Sequence, residues 1–368
     1  MYLGKMGTSS HFLSAFTIFV KFLPHKNHMD ITILGIESSC DDTSAAVIRD
    51  RTLLSNVIAS QAVHQKYGGV IPELASRAHQ QNIVPVVDTA LKEAGVTIDK
   101  IDAIAFTRGP GLLGSLLVGV SFAKGLSISH DIPLVEVNHL QGHILSHFLD
   151  LPDRQLPHPD FPFLCLLVSG GHTQIVKVDG PLDMQIVGTT IDDAAGEAFD
   201  KVARVLGLPY PGGPEIQKLA REGSPVYKMP LPVFKTEGEL KFSYSGLKTF
   251  VINLVHGMEQ RGESVPKADV ACSFQECAVE QLVRASECAL RRTGMKKIAV
   301  AGGVSANERL RGRFDALGRE LGAEVFYPQL RYCTDNAAMI GAAAYFLAKS
   351  GAAPAGAELD AKATVPLG

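Results

Sequence analysis

The chain has 368 residues, more than one average domain, so its length predicts two lobes. Hydrophobic residues make up 46% of it and charged residues 20%, which is typical of a soluble globular protein with an ample core. The formal net charge of −3 excludes a protein that binds nucleic acid with its whole surface, although a local basic face is compatible with it. The six cysteines form no CxxC pair, so we expect reduced, buried thiols and a cytoplasmic protein.

The two ends of the chain differ in composition from the rest. Residues 1–28 contain an apolar run, HFLSAFTIFVKFL, which Lys21 interrupts and which is too short for a membrane helix. No small-residue cleavage site follows it, so we expect the natural protein to begin at Met29, with residues 1–28 a disordered or misassigned extension and no membrane association. The tail 351–368 is rich in Ala, Gly and Pro and is predicted to be disordered.

Two stretches of the chain share one pattern. Residues 31–48, ITILGIESSCDDTSAAVI, predict an apolar strand, a Ser/Asp-rich turn and a second strand. Residues 163–178, FLCLLVSGGHTQIVKV, repeat this pattern around a Ser-Gly-Gly-His-Thr turn. Such turns present backbone N–H groups and hydroxyls to an anion, which is how proteins bind phosphate groups.

Helices and strands follow each predicted hairpin. The first half continues with a helix that ends at Gly95, a buried strand in KIDAIAFTRGPG, a helix in GSLLVGVSFAKGLSIS and the strand DIPLVEV. The second half contains the amphipathic helix ADVACSFQECAVEQLVRASECALRRTG, the buried strand KKIAVAGGV with its Gly-Gly turn, and a helix that begins near SANERLRGRF. The last predicted helix, TDNAAMIGAAAYFLAKSG, carries Asp335 in its first turn.

Duplicated halves with a late strand, Gly-Gly turn and helix resemble the actin, sugar-kinase and heat-shock ATPase (ASKHA) fold. The resemblance implies a duplicated α/β protein of two lobes with a central ligand cleft. We expect the N-terminal lobe to comprise residues 30–137 together with a C-terminal helix at about 335–350, and the C-terminal lobe to comprise residues 138–334. The fold alone does not decide the reaction.

The sequence NHLQGHILSHF (138–148) contains three histidines spaced four residues apart. Asn138 is a suitable N-cap, and the helix would start at the carboxyl end of a strand, where ligands gather in open α/β sheets. Histidines four residues apart lie about 40° apart around a helix, which suits joint binding of one metal ion, whereas His139 and His147 lie roughly 12 Å apart along the axis. The metal pair is therefore His139 with His143 or His143 with His147, unless the spacing is fortuitous.

A metalloprotease is excluded, because the HExxH motif needs Glu directly after the first histidine and this chain has Leu140 and Ile144 there. A third metal ligand must come from a distant carboxylate. Asp335 is the most attractive candidate, although an Asp at a helix start often serves only to cap the helix. Glu197 and Asp200 in GEAFDK are further candidates.

Residues 124–144, KGLSISHDIPLVEVNHLQGHI, resemble the signature of the TsaD family (also called Gcp or YgjD), the tRNA N6-adenosine threonylcarbamoyltransferases. Nine further motifs of the family lie before and after this stretch, within residues 31–349, and occur in the family's order. They are GIESSCDDTSAAV, GGVIPELASRAH, TRGPGLLGSLLVG, LVSGGHTQ, DDAAGEAFDKVARVLGLPYPGGP, FSYSGLKT, SFQE, AGGVSANERLR and CTDNAAMIG. The resemblance implies transfer of a threonylcarbamoyl group from threonylcarbamoyl-AMP to the N6 amine of the adenosine on the 3′ side of the anticodon, in tRNAs that read codons beginning with A.

The same resemblance implies a set of site residues. The metal ligands of the family fall on His139, His143 and Asp335, which implies one divalent ion, Fe²⁺ as the first choice and Zn²⁺ as the second. The N/O ligand set by itself fits either ion. The substrate-binding residues of the family fall on Leu167, Val168, Ser169, Gly170, Gly171, Asp200, Gly213 and Asn307. We expect the turn 169–171 to bind the adenylate phosphate, Asp200 the ribose hydroxyls and Asn307 the adenosine.

The resemblance also implies that the protein acts on tRNA together with the paralogous subunit TsaB and the small ATPase TsaE. Basic clusters that could contact tRNA phosphates, but that also fit solvated helix faces, are 291–297, then Arg309, Arg311 and Arg313, and finally Lys241 and Lys248. Two other functions suit the fold. An ATPase or small-molecule kinase would need no histidine pair, and a non-catalytic scaffold subunit would be expected to lack both that pair and Asp335.

Overall fold

The structure, a computed structural model, describes residues 30–232, 234, 240–351, 355–356 and 358–367. The extension 1–28 and the expected start at Met29 lie outside these residues. The chain forms two mixed β-sheets, each built around three antiparallel strands that follow one another in sequence. Within the described ranges, no helix is long and apolar enough to cross a lipid bilayer.

Five strands form the first sheet: β1 (Thr32–Glu37), β2 (Thr43–Arg49), β3 (Thr52–Ala59), β4 (Ala103–Gly109) and β5 (Leu134–Asn138). Their order across the sheet is β3-β2-β1-β4-β5. Strand β1 pairs antiparallel with β2 and parallel with β4, so it lies at the centre, and every one of its residues is buried. Burial on both faces agrees with the continuous apolar run ILGI within the strand sequence TILGIE.

Six strands form the second sheet: β6 (Phe163–Val168), β7 (Thr173–Gly180), β8 (Asp183–Thr190), β9 (Leu240–Phe242), β10 (Lys297–Ala301) and β11 (Glu324–Phe326). Their order is β11-β10-β6-β7-β8-β9. Strand β10 joins β6 in parallel, as β4 joins β1 in the first sheet. The order 3-2-1-4-5 thus recurs as 8-7-6-10-11, which is the internal duplication that the two predicted hairpins indicate.

Helices flank both sheets, and the described ranges contain α1 (Pro72–Ala94), α2 (Leu113–His130), α3 (His139–Leu145), α4 (Ala195–Val205), α5 (Gly212–Ala220), α6 (Ser245–Gln260), α7 (Lys267–Thr293), α8 (Glu308–Leu321) and α9 (Ala337–Lys349). Helix α1 begins with Pro72, whose restricted φ suits the first helical position. It ends before Gly95, which adopts the left-handed conformation at φ 62°. The prediction of a helix that ends at Gly95 is confirmed.

Contacts between small residues bring α9 against β1 and α3. Gly35 of β1 lies so close to α9 that an added Cβ would be 2.6 Å from the Ala337 carbonyl oxygen. Gly142 of α3 likewise faces Ile340, and its added Cβ would be 3.1 Å from the Ile340 Cδ1 atom. The absence of side chains at these two glycines therefore places the start of α9 beside α3.

The start of α9 differs from its predicted position. The sequence predicts Asp335 in the first turn, but the helix begins at Ala337 and Asn336 is its N-cap. The Oδ1 atom of Asn336 accepts a hydrogen bond from the N–H of Met339 at 3.2 Å. Because Asn336 caps the helix, the carboxylate of Asp335 is not needed for capping and can face α3.

A central apolar core lies between the two sheets. It joins residues of β1, α3, β6 and α9, among them Ile33, Leu140, Leu167 and Met339, all of which are at most 2% exposed. A helix as short as α3 is marginal in isolation. Its burial in this core stabilises it, and the core thereby holds the two histidines of α3 at the junction of the lobes.

The C-terminal tail is packed, so the prediction of disorder over 351–368 is wrong for residues 355–356 and 358–367. Its backbone hydrogen-bonds to β4 and β5, and the side chains of Ala361 and Leu367 are only 8% and 7% exposed. The prediction depended on average composition. Average composition does not reveal that Ala361 and Leu367 are buried or that the backbone hydrogen-bonds to neighbouring strands. These contacts offset the conformational entropy that is lost when the tail becomes ordered.

Replacing Gly35 by Ala is expected to lower the free energy of unfolding by about 1–3 kcal/mol, because the new methyl group would press on the Ala337 carbonyl oxygen and displace α9. Gly246→Ala is the matched control. Gly246 lies on α6, where an added Cβ meets no described atom within 4 Å, so stability should hold or rise by up to about 1 kcal/mol. Urea unfolding of both variants measures the difference, and equal midpoints would contradict the close approach of α9.

Candidate metal and nucleotide site

Helix α3 starts at the carboxyl end of β5. The Oδ1 atom of Asn138 accepts hydrogen bonds from the N–H groups of Leu140 at 2.9 Å and Gln141 at 3.4 Å, so the predicted N-cap is confirmed. His139 and His143 follow at the first and fifth positions of the helix and are 6% and 1% exposed. The cap thus fixes the position along the chain at which both imidazoles enter the interior.

The two histidines of α3 meet Asp335, which precedes α9. The Oδ1 atom of Asp335 lies 3.5 Å from His139 Nε2 and 3.1 Å from His143 Nε2. One candidate ligand atom from each of the three residues lies within 4.8 Å of the other two. Of the two pairings that the histidine spacing allows, the structure therefore groups His139 with His143, and it brings the distant Asp335 to them.

These three residues fit a divalent metal ion. The Nε2 atom of His143 is buried and, within the described ranges, has no hydrogen-bond partner despite its contact with Asp335. A buried polar atom without a partner is costly, and coordination of a metal ion would satisfy it. Two imidazole nitrogens and one carboxylate oxygen form a ligand set that suits Fe²⁺ or Zn²⁺ and leaves coordination positions for a substrate.

Glu37 supports this site and was missed in the sequence analysis. It ends β1, is fully buried, and its Oε2 atom lies 3.1 Å from His139 Nδ1. Thr107 Oγ1 donates to the same carboxylate oxygen at 2.6 Å, and the Ser39 N–H donates to the other oxygen. A carboxylate behind a ligating histidine fixes the orientation of the ring. The available signal was the single charged residue that ends the apolar strand TILGIE.

The electrostatics of the site favour a cation at its centre. Burial lowers the pKa of His139, but the carboxylates of Asp335 and Glu37 outweigh burial and raise that pKa to about 10. Burial raises the pKa of Asp335, but the neighbouring His139 and His143 outweigh it and hold this pKa well below its usual range. Without a metal ion, the site therefore holds a proton on His139 at neutral pH. A divalent cation would replace this proton.

His147 lies apart from the ligand set. It is 4% exposed, and burial lowers its pKa to about 4. A hydrogen bond with the Val300 backbone opposes this shift, and the positive charge of Arg311 adds to it. The imidazole is therefore neutral at physiological pH. The structure therefore places His147 in the packed interior, outside the group formed by His139, His143 and Asp335.

The free energy of unfolding is expected to fall as the pH drops from about 6.5 to 4, with His147 contributing about 3 kcal/mol. In this window the unfolded chain binds a proton on His147 that the folded chain excludes, so stability rises with pH and is complete above about 6.5. His147→Gln should reduce the loss, as measured by urea unfolding at pH 7 and pH 4.5. The carboxylates titrate equally in both proteins and cancel in the comparison, so an unchanged pH dependence would contradict the assignment.

The turn between β6 and β7 forms a compact loop. The Ser169 N–H donates to the His172 carbonyl oxygen at 2.8 Å, and the His172 N–H donates to Ser169 Oγ at 3.2 Å. Gly170 and Gly171 at its tip are exposed, and an added Cβ at either glycine would meet no described atom within 4 Å. The tip can therefore bring its backbone close to a ligand, as the prediction of a phosphate-binding turn requires.

The start of α4 abuts this turn. The Gly196 N–H donates to the Ser169 carbonyl oxygen at 3.2 Å, and an added Cβ at Gly196 would lie 2.6 Å from that oxygen. The N-terminus of a helix carries a partial positive charge that attracts anions, and here it reinforces the turn. Leu167 and Val168 precede the turn with side chains fully buried in two different cores, so only their backbone atoms could contact a ligand.

Asp200 connects α4 with the start of α5. The Gly212 N–H donates to Asp200 Oδ1 at 2.7 Å. Burial raises the pKa of Asp200, although the hydrogen bonds from the Gly212 and Gly213 backbone act to lower it. The next residue, Gly213, has open space on the side where a Cβ would project. Asp200 thus has a structural contact that the sequence did not indicate, and its contact with a ribose stays a prediction.

Asn307 is the N-cap of α8. Its Oδ1 atom accepts from the Leu310 N–H at 3.0 Å, and its amide nitrogen donates to Gln275 Oε1 at 3.0 Å. The Glu308 N–H donates to Gln217 Oε1 of α5 at 2.8 Å, which ties the start of α8 to α5. The side chain of Asn307 is therefore committed at both ends within the protein, and its contact with adenosine stays a prediction.

The turn and the metal ligands share one region of the molecule. Burial, followed by the charges of His139 and His143, lowers the pKa of His172 to about 4. The loop after β10 joins the two groups: an added Cβ at Gly302 would lie 3.3 Å from Ser169 Cβ, and one at Gly303 would lie 3.9 Å from Cγ2 of Thr334, the residue before Asp335. The candidate phosphate-binding turn therefore lies beside the candidate metal ligands, and a phosphorylated substrate could reach both.

Several basic residues that were predicted to contact tRNA have partners within the protein. Arg309 pairs with Glu276 at 2.6 Å and Arg313 with Glu280 at 2.5 Å. Arg311 donates to the Ser305 carbonyl oxygen at 2.7 Å. These contacts reduce the free positive charge of the cluster, so its contact with tRNA phosphates stays a prediction.

The fold is similar to that of HypF. Full-length HypF, in the crystal structure of its phosphate- and nucleotide-bound form, aligns with a TM-score of 0.54 at 15% identity, covering 87% of this chain and 47% of HypF. HypF from T. kodakarensis aligns with a TM-score of 0.55 at 15% identity, covering 88% and 48%. Identity this low concerns the fold alone. The structural alignments, together with the repeated strand order, confirm the predicted duplicated α/β fold of the actin, sugar-kinase and heat-shock ATPase type.

Sequence comparison identifies the family. The profile of TsaD, tRNA N6-adenosine threonylcarbamoyltransferase, matches residues 52–342. The tRNA N6-adenosine threonylcarbamoyltransferase of Porphyromonas gingivalis is 56% identical over 321 residues, covering 86% of this chain and 93% of that protein. The protein of the same name from Phocaeicola vulgatus is 53% identical over 322 residues, covering 86% and 94%. The chain therefore belongs to the TsaD family of tRNA N6-adenosine threonylcarbamoyltransferases.

Proposed function

We propose that the protein transfers the threonylcarbamoyl group from threonylcarbamoyl-AMP to the N6 amine of the adenosine on the 3′ side of the anticodon, with one bound divalent metal ion. Its substrates are tRNAs that read codons beginning with A. The observation that carries the proposal is the convergence of His139, His143 and Asp335 beside the turn 169–171. The names of the relatives support the transferred group and the tRNA acceptor.

The turn and the start of α4 suit the AMP half of the donor. In the reaction, the N6 nitrogen forms a bond to the carbamoyl carbon and loses one proton, while the bond between that carbon and a phosphate oxygen breaks and AMP leaves with the bonding electrons. Exposed backbone at Gly170 and Gly171, together with the positive end of the α4 dipole, would stabilise the negative charge that develops on this phosphate. Asp200, Gly213 and Asn307 would bind the nucleoside, with their existing contacts holding the surrounding loops in place.

A divalent ion held by His139, His143 and Asp335 would supply a Lewis acid at this site, with Fe²⁺ preferred and Zn²⁺ as the second choice. The chain itself prepares the ligands. Glu37 accepts the Nδ1 proton of His139 and leaves Nε2 to face Asp335. Burial of both imidazoles excludes water from their side of the site, which strengthens their electrostatic interaction with a bound cation.

The two other functions that suit the fold leave these residues unexplained. An ATPase or small-molecule kinase binds Mg²⁺ through oxygen ligands and substrate phosphates, and a buried histidine pair is a poor ligand set for that ion. A non-catalytic scaffold subunit would have no use for a ligand set with a supporting carboxylate. The metal site therefore favours the transferase over both alternatives.

The test is a reconstituted reaction. The protein is incubated with threonylcarbamoyl-AMP and unmodified tRNA in the presence of Fe²⁺ or Zn²⁺ and of the proposed partners TsaB and TsaE. The tRNA is then digested, and its nucleosides are separated and identified by mass spectrometry. We expect threonylcarbamoyladenosine, formed only when the donor is present and reduced by a metal chelator. No modified adenosine under these conditions would overturn the proposal. Consumption of added ATP by this protein alone, without TsaE and without tRNA modification, would favour a kinase or ATPase.

A further inference from the structure

The packed part of the tail, residues 355–356 and 358–367, is here called the C-terminal strap. It begins beside the amino end of β5, where the Ala355 N–H donates to the Leu134 carbonyl oxygen at 3.0 Å, and residues 362–366 reach the carboxyl ends of β4 and β5. Ala361 is buried in the core on the outer face of the sheet, whereas Leu367 is buried in the central core between the sheets. The strap therefore passes from one face of the sheet to the other, over the edge from which α3 and the ligand His139 begin.

Contact between the strap and β4 is close. The Lys362 N–H donates to the Arg108 carbonyl oxygen at 2.9 Å. The neighbouring Gly109 has φ 152°, and an added Cβ there would lie 2.0 Å from the Lys362 carbonyl oxygen. Only glycine leaves room for the strap at this position. The strap is thus fitted against the strand end.

One connection leads from the strap to His139 through Asn138. The amide nitrogen of Asn138 donates to the Pro366 carbonyl oxygen at 2.9 Å. The Oδ1 atom of the same side chain caps α3, whose first residue is His139. A single side chain therefore couples the position of the strap to the position of the metal-bearing helix.

A second connection reaches the same histidine from the other side. The Gly111 N–H donates to the Ala363 carbonyl oxygen at 3.1 Å, and the Leu112 N–H donates to the Ser39 carbonyl oxygen at 2.7 Å. Ser39 Oγ lies 3.1 Å from His139 Nδ1. Two separate sets of hydrogen bonds from the strap therefore converge on one metal ligand.

We propose that the C-terminal strap is a positioning segment for the metal site, which holds His139 in the orientation that coordination requires. The inference rests on the proposed function in one respect, namely that the site binds a metal ion. The strap acts through Asn138 and Ser39 and contributes no ligand of its own. Loosening it should therefore weaken and distort metal binding, beyond any loss of stability.

Two substitutions in the full-length protein loosen the strap in different ways. Asn138→Ser keeps an N-capping oxygen for α3 but removes the amide that donates to Pro366. Leu367→Asp places a charge in the central core and releases the end of the strap. Thr364→Ala is the control, because the side chain of Thr364 is exposed within the strap.

The measurements are the Zn²⁺ dissociation constant by competition with a chelating dye, the visible absorption spectrum of bound Co²⁺, and the melting temperature. We expect Asn138→Ser and Leu367→Asp to bind Zn²⁺ about 10–100-fold more weakly and to change the Co²⁺ spectrum, which reports ligand geometry. Thr364→Ala should match the wild type in all three.

The possible failures are distinguishable. Unchanged Zn²⁺ affinity and Co²⁺ spectrum in both strap variants, with or without a lower melting temperature, would overturn the positioning role and leave the proposed metal site intact. Failure of the wild type to bind either ion would overturn both the metal site and the strap proposal. If Leu367→Asp does not fold, the milder Asn138→Ser decides the result.

Discussion

His143→Ala is expected to abolish metal binding and to lower threonylcarbamoyl transfer by about 10³-fold or more. His143 is 1% exposed, and its Nε2 atom faces Asp335 at 3.1 Å. Loss of this nitrogen leaves one imidazole and one carboxylate, too few ligands for tight binding. A Lewis acid contributes several kcal/mol to stabilisation of the transition state, and each 1.36 kcal/mol corresponds to about tenfold in rate. Metal content by plasma mass spectrometry and nucleoside analysis measure the two effects.

His147→Gln is the matched control for this variant. Both histidines are buried and lie one helical turn apart, but His147 is a neutral packing residue outside the ligand set. We expect normal metal content and normal activity per folded molecule. Full activity in His143→Ala, or loss of metal from His147→Gln, would contradict the assignment of ligands.

Glu37→Gln is expected to weaken metal binding by about 10–100-fold while the fold is retained, because Gln is close to Glu in shape but carries no charge. The carboxylate of Glu37 lies 3.1 Å from His139 Nδ1, where it would hold the orientation of the ring and make the imidazole a better donor to a metal ion. In the metal-free protein the same substitution should lower the pKa of His139 from about 10, because one of the two carboxylates that raise it is removed. Competition with a chelating dye and NMR titration of the imidazole measure these effects.

Thr107→Val tests whether the charge of Glu37 or its surrounding hydrogen bonds matter more. It removes the hydroxyl that donates to Glu37 Oε2 at 2.6 Å and leaves the carboxylate in place. We expect a smaller loss of metal affinity than in Glu37→Gln, together with a His139 pKa that remains high.

An unchanged His139 pKa in Glu37→Gln would show that Glu37 does not act on this ring, and the supporting role of Glu37 would have to be abandoned.

Local signals in the sequence were sufficient for most elements of the fold. The end of α1 at Gly95 follows from the left-handed conformation that glycine adopts readily at a helix end. The start of α3 follows from the capping amide of Asn138. These features depend on residues within a few positions of one another, so short patterns determine them. The duplicated hairpins are visible for the same reason, since each strand and turn is continuous in sequence.

The histidine spacing limited the site but did not complete it. A helix brings residues four apart to one face, so the sequence restricted the metal pair to two choices. Choosing between them required α9, because Asp335 reaches His139 and His143 only through the approach of Ala337 to Gly35. That approach depends on packing between segments that are distant in sequence. The ligand set was named from a family resemblance, and the spacing alone could not have supplied it.

By itself, then, the sequence determined the hairpins, the helix ends, the duplicated α/β architecture and the possible histidine pairs, because these follow from backbone conformation and short periodic patterns. Only the tertiary structure decided that Glu37 lies behind His139, that Asn336 rather than Asp335 caps α9, and that the tail is packed. Each of these outcomes arises where strand ends, a helix start and a chain end meet. No local pattern encodes which distant groups satisfy a buried carboxylate or a free backbone N–H, because packing of the whole chain decides it.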